Sequence, residues 1–353
     1  MEICDIVSKF FDIGNCSFEP FGEGHINRTY RVVSGVKKYI LQKINNSIFT
    51  DVDALMRNIR LVTEYLNDLY ASRKSDETSL EIVTTLDGKD YFRDGDNYWR
   101  VYKLIDNSVC YQTVNSCEDF RQCAASFGAF AEDLRGFDAS KLTEIIPDFH
   151  NTVKRFSDFK AAVNADVMHR AADVGREIDF VTSRENICSR ITSKLSSGEM
   201  PLRVTHNDTK LNNILFSATT GKPIAIIDLD TVMPGSICYD FGDSIRFGCN
   251  MVAEDEPDTS LVDFSFDLFE AYVDGYIKSF KSITGTEKSA LVDGAILMTY
   301  ECGMRFLADY LNGDTYFHVS REKHNLDRCR TQFRLVEIME NNYSRLTEIV
   351  ERK

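Results

Sequence analysis

The spacing of apolar residues divides the chain into a strand-rich first part and a mainly helical remainder. A two-residue period predicts strands that begin near Phe18 and cover residues 28–33, 37–43, 80–85 and 98–104. Ser34-Gly35 separates two of these runs and is typical of a hairpin turn. Residues 52–70 instead repeat apolar side chains with the period of a helix. Three strands, one helix and two strands make an α+β unit of about 100 residues.

Beyond residue 106 the spacing is helical almost to the C-terminus. It predicts helices over residues 117–134, 261–280, 287–311 and from His324 onward, with two more between residues 160 and 194. A strand-rich insert, residues 202–230, interrupts this part. We expect a first domain over residues 1–104, a second over residues 105–353 and a hinge near residues 102–110. Irregular backbone on a rigid scaffold is where catalytic groups usually lie, so the insert is the candidate catalytic segment.

Composition and charge narrow the classes of function. The 353 residues include 41 Lys and Arg against 55 Asp and Glu, a net charge of −14, and 43% hydrophobic residues. This apolar content is sufficient for folded domains, and the negative field opposes binding to nucleic acid or anionic lipid. Apolar runs stay short of the roughly 20 residues that a bilayer span requires, and the first residues do not resemble a secretion signal. We expect a cytoplasmic monomer without nucleic-acid or membrane partners.

Oxygen-bearing side chains recur in the insert at a spacing that suits phosphoryl transfer. Zinc is not predicted, because ten cysteines and six histidines form no C-x-x-C or H-x-x-x-H pair. The insert reads H-x-D-x-x-x-x-N from His206 to Asn213, and an apolar strand then ends at Asp228. Phosphoryl transfer needs a base for the acceptor hydroxyl, here Asp208, and hard oxygen ligands for Mg²⁺, here Asn213 and Asp228. Each residue alone could brace a turn or end a strand, but the ordered set favours catalysis.

Two further residues of this region are expected to support the catalytic segment. Asp240, in Tyr239-Asp240-Phe241-Gly242-Asp243, could accept hydrogen bonds from that segment's backbone, and it could also cap a helix. His206 opens the motif and is assigned to the same supporting group.

A candidate phosphate-binding segment lies in the first part of the chain. Gly22-x-Gly24 falls between two predicted strands, where glycines let backbone N–H groups approach phosphates, although an ordinary hairpin turn has the same composition. Lys43 ends the third strand and could reach the α and β phosphates, or it could remain a solvated lysine. Its acidic partner would be Glu64 on the following helix, with Asp51 and Asp53 as competitors.

Taken together, these motifs resemble the aminoglycoside phosphotransferase and choline kinase group of kinase-fold small-molecule kinases. Several segments are similar almost letter for letter to bacterial N-acetylhexosamine 1-kinases, and the likeness covers roughly residues 15–335. These segments are 206–213, 227–235, 239–243, Gly22-x-Gly24-His25-Ile26-Asn27 and Gly303-Met304-Arg305-Phe306-Leu307. Asn27 replaces the third glycine of protein kinases and Asp228-Leu229-Asp230 replaces D-F-G, so the chain does not resemble a protein kinase.

The resemblance implies a bilobal protein-kinase-like fold, with a small antiparallel five-stranded lobe that carries one helix and a large helical lobe. It implies ATP and Mg²⁺ as cofactors and phosphorylation of the anomeric C1 hydroxyl of GlcNAc or GalNAc. We expect the hinge, including Tyr102 and Leu104, to hold adenine through backbone hydrogen bonds.

A sugar site needs hydrogen-bonding groups beside an aromatic wall. The candidates near the motifs are His25, Phe247, Arg305, Tyr316 and His324, and the resemblance implies Asp208, Phe247, Arg305 and Tyr316 as sugar contacts. Alternatively, Phe247 and Tyr316 pack in the core, and Arg305 joins an exposed i,i+4 ladder with Glu301 and Asp309.

Two other functions remain open on the sequence. The same fold could phosphorylate another small alcohol, such as choline, an aminoglycoside or homoserine, and a cationic acceptor would require an acidic pocket. A nucleotide-binding pseudokinase would be signalled by loss of the base or of a metal ligand, but Asp208, Asn213 and Asp228 are all present.

Overall fold

The computed structural model describes residues 2–12, 16–22, 26–114 and 116–353. The strands are β1 (Cys16–Pro20), β2 (Arg28–Ser34), β3 (Lys37–Ile44), β4 (Ile82–Val83), β5 (Phe92–Asp94), β6 (Asn97–Lys103), β7 (Ser108–Val109), β8 (Arg203–Thr205), β9 (Ile214–Ser217), β10 (Pro223–Ile226) and β11 (Met233–Gly235). The α-helices are α1 (Ile3–Val7), α2 (Val52–Arg73), α3 (Cys117–Asp133), α4 (Thr152–Ala165), α5 (Gly175–Thr182), α6 (Arg190–Ser196), α7 (Ile237–Gly248), α8 (Phe266–Ser279), α9 (Gly285–Ser289), α10 (Leu291–Leu311), α11 (His324–Asn341) and α12 (Tyr343–Glu351). The predicted α+β class is confirmed.

The chain folds into two compact units that are each discontinuous in sequence. The smaller unit runs to Cys110 and also takes in Ser140–Pro147 and Asn213–Met233. The larger unit comprises Tyr111–Ala139, Asp148–Asn212 and Pro234–Lys353. The pattern of apolar residues predicts a single domain after residue 104. The difference arises because β9 pairs with both β10 and β7, and this pairing joins the hairpin of the insert to the strand-rich part of the chain.

Within the described residues, the main sheet of the smaller unit has six antiparallel strands in the order β1-β2-β3-β6-β4, with β5 also paired to β6. We expected five strands and one helix in this unit. The sequence analysis missed β5 and α1 because elements of three and five residues are too short to show a period. The predicted helix over residues 52–70 is α2, and Asp51 caps it by accepting the Ala54 N–H at 2.9 Å.

The two faces of this sheet differ in chemistry. One face carries the apolar core, in which α1 packs on the sheet through Ile6, Val7, Phe10, Val32, Tyr39, Leu41, Trp99 and Val101. The other face carries Gln42 and Arg100, which are directly opposite each other on β3 and β6. A core that covers one face leaves the second face available for polar groups.

The larger unit is built from helices, and a close glycine contact sets the position of α7 within it. A Cβ added at Gly242 of α7 would overlap the backbone carbonyl of Gly294 on α10, and one added at Gly294 would lie 2.5 Å from the carbonyl oxygen of Cys238. Only hydrogen at these positions lets the two backbones approach this closely. In the described part of the chain, no helix combines the length and the apolarity that crossing a membrane requires.

Gly242→Ala should destabilise the larger unit because its methyl group must push α7 away from α10. We expect the free energy of unfolding to fall by about 1–3 kcal/mol, measured by urea denaturation. Gly285→Ala is the matched control, since its Cβ would meet open space at the start of α9. An equal loss in both variants would contradict the close-contact explanation.

Candidate active site

The loop of residues 206–212 follows β8 in the larger unit and is held by a buried histidine. His206 lies edge-on to the rings of Phe127 and Phe130 on α3, with ring centroids 5.5 and 5.9 Å away. Its Nδ1 accepts the backbone N–H of Asp208 at 3.3 Å. Asn207 between them has a φ of 64°, a left-handed conformation that asparagine tolerates better than most residues. These contacts turn the chain so that Asp208 leaves the strand direction.

Asp240, near the start of α7, binds the backbone of the same loop. Its carboxylate accepts the N–H groups of His206 and Asn207 at 2.8 and 2.7 Å, as the sequence analysis expected of this residue. Its backbone carbonyl accepts the Thr209 hydroxyl at 2.7 Å. Burial raises the pKa of Asp240 to about 6, against the opposing effect of the two backbone donors and His206.

Lys210 accompanies Asp208 on the exposed side of the loop. Its Nζ lies 2.7 Å from the Asp208 carboxylate. Burial alone would lower the pKa of Lys210, but the carboxylates of Asp208 and Asp243 outweigh that effect and raise it. Lys210 was not among the predicted site residues. Its position depends on the turn at residues 208–210, where the Lys210 N–H donates to the Asp208 carbonyl at 3.0 Å.

A cavity of about 70 Å³ in the larger unit lies beside this loop. Lys210, Asn212 and Phe247 are among the residues that line it, and the Asn212 Oδ1 is buried without a hydrogen-bond partner. Phe247 is 55% exposed, so the alternative that it packs in the core is wrong. The cavity therefore offers an aromatic side chain, a cation and an unused hydrogen-bond acceptor.

Arg305 and Tyr316, two predicted sugar contacts, lie together. Arg305 Nη2 donates to the Tyr316 hydroxyl at 3.4 Å, and its guanidinium carbon is 5.6 Å from the centre of the Tyr316 ring. Tyr316 is 70% exposed, so it is not a core residue either. The exposed ladder of Arg305 with Glu301 and Asp309 is wrong, because both carboxylates are buried. Glu301 binds His150, with Nδ1 at 3.1 Å.

Asp309 of α10 organises the loop that carries Tyr316. Its carboxylate accepts three consecutive backbone N–H groups, from Thr315 at 2.9 Å, Tyr316 at 2.8 Å and Phe317 at 3.0 Å. The Asn325 side chain donates to the same carboxylate at 2.9 Å. Four donors compensate for burying the charge, and they fix the backbone on which Tyr316 stands.

Asn213 and Asp228 lie at the open end of the β9–β10 hairpin in the smaller unit. Antiparallel pairing places the residue before β9 next to the residues after β10, and the Ile227 N–H donates to the Asn213 carbonyl at 2.9 Å. Asp228 has a φ of 60°. Non-glycine residues seldom adopt this conformation outside turns and functional sites. The hairpin thus brings together the two residues that the sequence analysis assigned to a metal.

The register of the main sheet places Lys43 on the opposite face from Arg100. Lys43 is opposite Trp99, on the face that carries the apolar core, whereas Gln42 is opposite Arg100. Directly opposed residues share a face, and Arg100 pairs with Asp230. The prediction that Lys43 points toward the phosphates therefore does not fit this register. Its expected partner Glu64 lies beside Arg60 on α2, with Nη1 at 2.9 Å.

The remaining nucleotide candidates lie in the hairpin between β1 and β2 and in β6. The Phe21 N–H donates to the Thr29 carbonyl at 3.0 Å and closes the hairpin that contains Gly22, which has a φ of 77°. Gly24 and His25 lie outside the described residues. Tyr102 belongs to β6, and the Leu104 N–H is already donated to the Lys38 carbonyl at 3.1 Å. The hinge hydrogen bond expected from that N–H is therefore used by the sheet.

Comparison with known proteins identifies the family. A model of the phosphotransferase enzyme family matches residues 17–272, which is more than half of the chain. The chain belongs to this family. Its fold is also similar to a microcompartment-associated aminopropanol kinase, at 16% identity, with a TM-score of 0.59 and 98% of each chain covered.

Two further solved structures of phosphotransferases share the fold. A choline kinase from Cryptosporidium parvum is 14% identical, with a TM-score of 0.56, 94% of this chain and 90% of that chain covered. A spectinomycin phosphotransferase in complex with ADP and spectinomycin is 14% identical, with a TM-score of 0.54 and coverages of 93% and 94%. The fold of this phosphotransferase family member is therefore protein-kinase-like.

The raised pKa of Asp240 predicts how stability depends on pH. Because its pKa is about 6 in the folded state and about 3.9 when unfolded, folding favours the protonated form. The stabilisation from this group is full below about pH 4 and is lost as pH rises through about 6, a change of about 3 kcal/mol. Asp240→Asn cannot titrate, so wild type should lose stability relative to this variant between pH 4.5 and 7.5, measured by urea unfolding. A difference that does not vary with pH would contradict the shifted pKa.

Removal of the Asp309 carboxylate should loosen the loop of residues 314–317 in particular. Asp309→Ala leaves three N–H groups without their acceptor, and we expect faster hydrogen exchange over residues 315–317, measured by mass spectrometry, and a lower melting temperature. Glu337→Ala is the control, because Glu337 forms an exposed pair with Arg334 on α11. Unchanged exchange at residues 315–317 in Asp309→Ala would count against this role.

Proposed function

We propose that the protein transfers the γ-phosphoryl group of ATP to the anomeric C1 hydroxyl of an N-acetylhexosamine. The observation that carries the proposal is the hairpin geometry at Asn213 and Asp228. Asn213 follows Asp208 by five residues, and its backbone pairs with that of Ile227, the residue before Asp228. Family membership supports phosphoryl transfer, and the resemblance of the motifs supports the sugar acceptor.

In this proposal Asn213 and Asp228 hold Mg²⁺. Asn213 offers an amide oxygen and Asp228 offers a carboxylate. A small number of hard oxygen donors suits Mg²⁺, because this cation retains several waters and also binds nucleotide phosphates. When bound, Mg²⁺ would neutralise charge on the phosphates. The contribution of the chain is the rigid hairpin, which fixes the separation of the two ligands before the nucleotide arrives.

Asp208 accepts the proton of the acceptor hydroxyl. The C1 oxygen forms a bond to the γ-phosphorus, the bond from that phosphorus to the β–γ bridging oxygen breaks, and ADP leaves. The proton passes to an oxygen of the Asp208 carboxylate. Lys210, at 2.7 Å, holds the orientation of this carboxylate, and the contacts of Asp240 and His206 hold the backbone of the loop.

In this proposal the sugar binds to the larger unit, where it contacts Phe247, Arg305 and Tyr316. The exposed rings of Phe247 and Tyr316 suit the C–H face of a pyranose, and Arg305 offers donors to its hydroxyl or acetamido oxygens. His25 is proposed as a further contact on sequence alone. On the nucleotide side, Gly22, Gly24 and the hinge around Tyr102 remain the proposed contacts, and a backbone donor to adenine has to come from a residue after Leu104.

A different small alcohol is the second candidate acceptor. Solved structures with this fold include kinases named for aminopropanol and choline, and amines of this kind are cationic. The guanidinium of Arg305 beside Tyr316 argues against a cationic acceptor at that position, because like charges repel.

The acceptor is tested with a panel of GlcNAc, GalNAc, glucose, choline, homoserine and an aminoglycoside, each incubated with ATP and Mg²⁺. Phosphorus NMR should place the new phosphate on C1 of an N-acetylhexosamine. Phosphate on C6, or turnover only with an amino alcohol, would overturn the sugar assignment and leave the phosphotransferase assignment intact.

The base is tested by Asp208→Asn. We expect turnover to fall by about 10²- to 10⁴-fold, the usual contribution of a general base, with an unchanged melting temperature. Asp158→Asn, which alters an exposed carboxylate paired with Lys154 on α4, is the matched control. Near-normal turnover in Asp208→Asn would refute its role.

A further inference from the structure

Arg100 is a cation taken almost completely out of water in the smaller unit. It is 1% exposed, at the centre of β6. Nη1 and Nη2 pair with the two oxygens of Asp230 at 2.6 and 2.8 Å, and Nε and Nη2 donate to Gln42 Oε1 at 3.0 and 2.8 Å. Nη1 also lies 4.0 Å from the Met56 sulfur. A guanidinium has five N–H groups. The three on Nε and Nη2 bind Gln42 and Asp230, and Nη1 faces the Asp230 carboxylate and the Met56 sulfur.

Asp230 extends this cluster to the hairpin between β1 and β2. Its Oδ2 accepts the Asn27 side chain at 2.6 Å, and the Asn27 Oδ1 accepts the Asn45 N–H at 2.9 Å. Asn27 stands where protein kinases have the third glycine of their loop, and it uses that position to reach Asp230. This cluster therefore joins two strands to the glycine-containing hairpin and to the turn that begins at Asp228. Its members are Arg100, Gln42, Asp230 and Asn27.

The contact of Arg100 with Asp230 lies beside the turn that carries Asp228. Burial opposes the charge on Arg100, but the carboxylates of Asp230 and Asp228 hold its pKa above the ordinary value, together with Tyr102. Asp228 is two residues from Asp230 in a turn that starts in the left-handed conformation. Such a turn keeps its shape only while its surroundings hold it. The bidentate contact of Arg100 with Asp230 supplies a fixed point two residues away.

We propose that Arg100 is a positioning residue for the Mg²⁺–nucleotide site, which it shapes by holding Asp230 and through it Asp228 and Asn27. This inference rests on the proposed function. The fixed positive charge on this face of the sheet is then Arg100 on β6, and not Lys43 on β3. Arg100 does not itself touch the nucleotide. It determines where the metal ligand and the hairpin stand when the nucleotide binds.

The test measures binding of ADP by titration calorimetry, with Mg²⁺ and separately with EDTA. Arg100→Met alone would strand the buried Asp230 carboxylate, so the main variant is Arg100→Met combined with Asp230→Asn, which removes both charges. Arg100→Lys keeps the charge but not the planar fork, and it gives a second folded protein. Lys43→Met tests the lysine on β3 in the same assay. Arg93→Met is the matched control, because Arg93 is exposed and donates to the Gly95 carbonyl at 2.8 Å.

We expect the double variant to fold and to bind Mg²⁺–ADP at least tenfold more weakly, in the range of about 10- to 100-fold typical of residues that orient a metal ligand. Binding of ADP in EDTA should change less, and Arg100→Lys should fall between wild type and the double variant. Lys43→Met and Arg93→Met should bind as wild type does. A merely structural role would lower the melting temperature without this dependence on Mg²⁺.

Two results would overturn the inference while leaving the proposed function in place. One is wild-type affinity for Mg²⁺–ADP in the folded double variant and in Arg100→Lys. The other is a loss in Lys43→Met as large as that in the Arg100 variants. Wild-type protein that fails to bind ADP with Mg²⁺ would overturn the proposed function itself and this inference with it.

Discussion

The loop of residues 206–212 in the larger unit depends on the buried carboxylate of Asp240. A loop without a strand partner must satisfy its backbone N–H groups in another way, and two of them bind Asp240. Asp240 in turn is placed by α7, whose backbone touches that of α10 at a glycine contact. The packing of α7 on α10 therefore positions the Asp240 carboxylate, and that carboxylate in turn positions the backbone next to Asp208.

The smaller unit solves an equivalent problem with a buried cation. Arg100 binds Asp230 and Gln42, and Asp230 binds Asn27. Buried ion pairs contribute little net stability, because desolvation offsets much of the attraction between the charges. What such a pair supplies is geometry, because its hydrogen bonds are directional. The turn that holds Asp228, the proposed metal ligand, in an unfavourable backbone conformation benefits from that constraint.

The residues proposed to bind the acceptor are arranged differently from those that support the loop. Asp309 is buried and fully engaged by backbone donors, whereas Tyr316 and Phe247 are exposed. The exposed rings can therefore contact a ligand while the buried carboxylate keeps its backbone donors.

The sequence by itself determined the α+β class, the long elements such as α2 and α10, and the motif order from His206 to Asp228, because periodicity and motif spacing are local properties of the chain. Tertiary structure alone decided which side chains share a surface. A shift of one residue in a strand reverses its face, so only the pairing of β3 with β6 shows that Gln42, and not Lys43, lies opposite Arg100. The contacts of Arg100 with Asp230 and of Asp240 with His206 join residues 130 and 34 positions apart. Separations of this length are set by packing, and no local pattern records them.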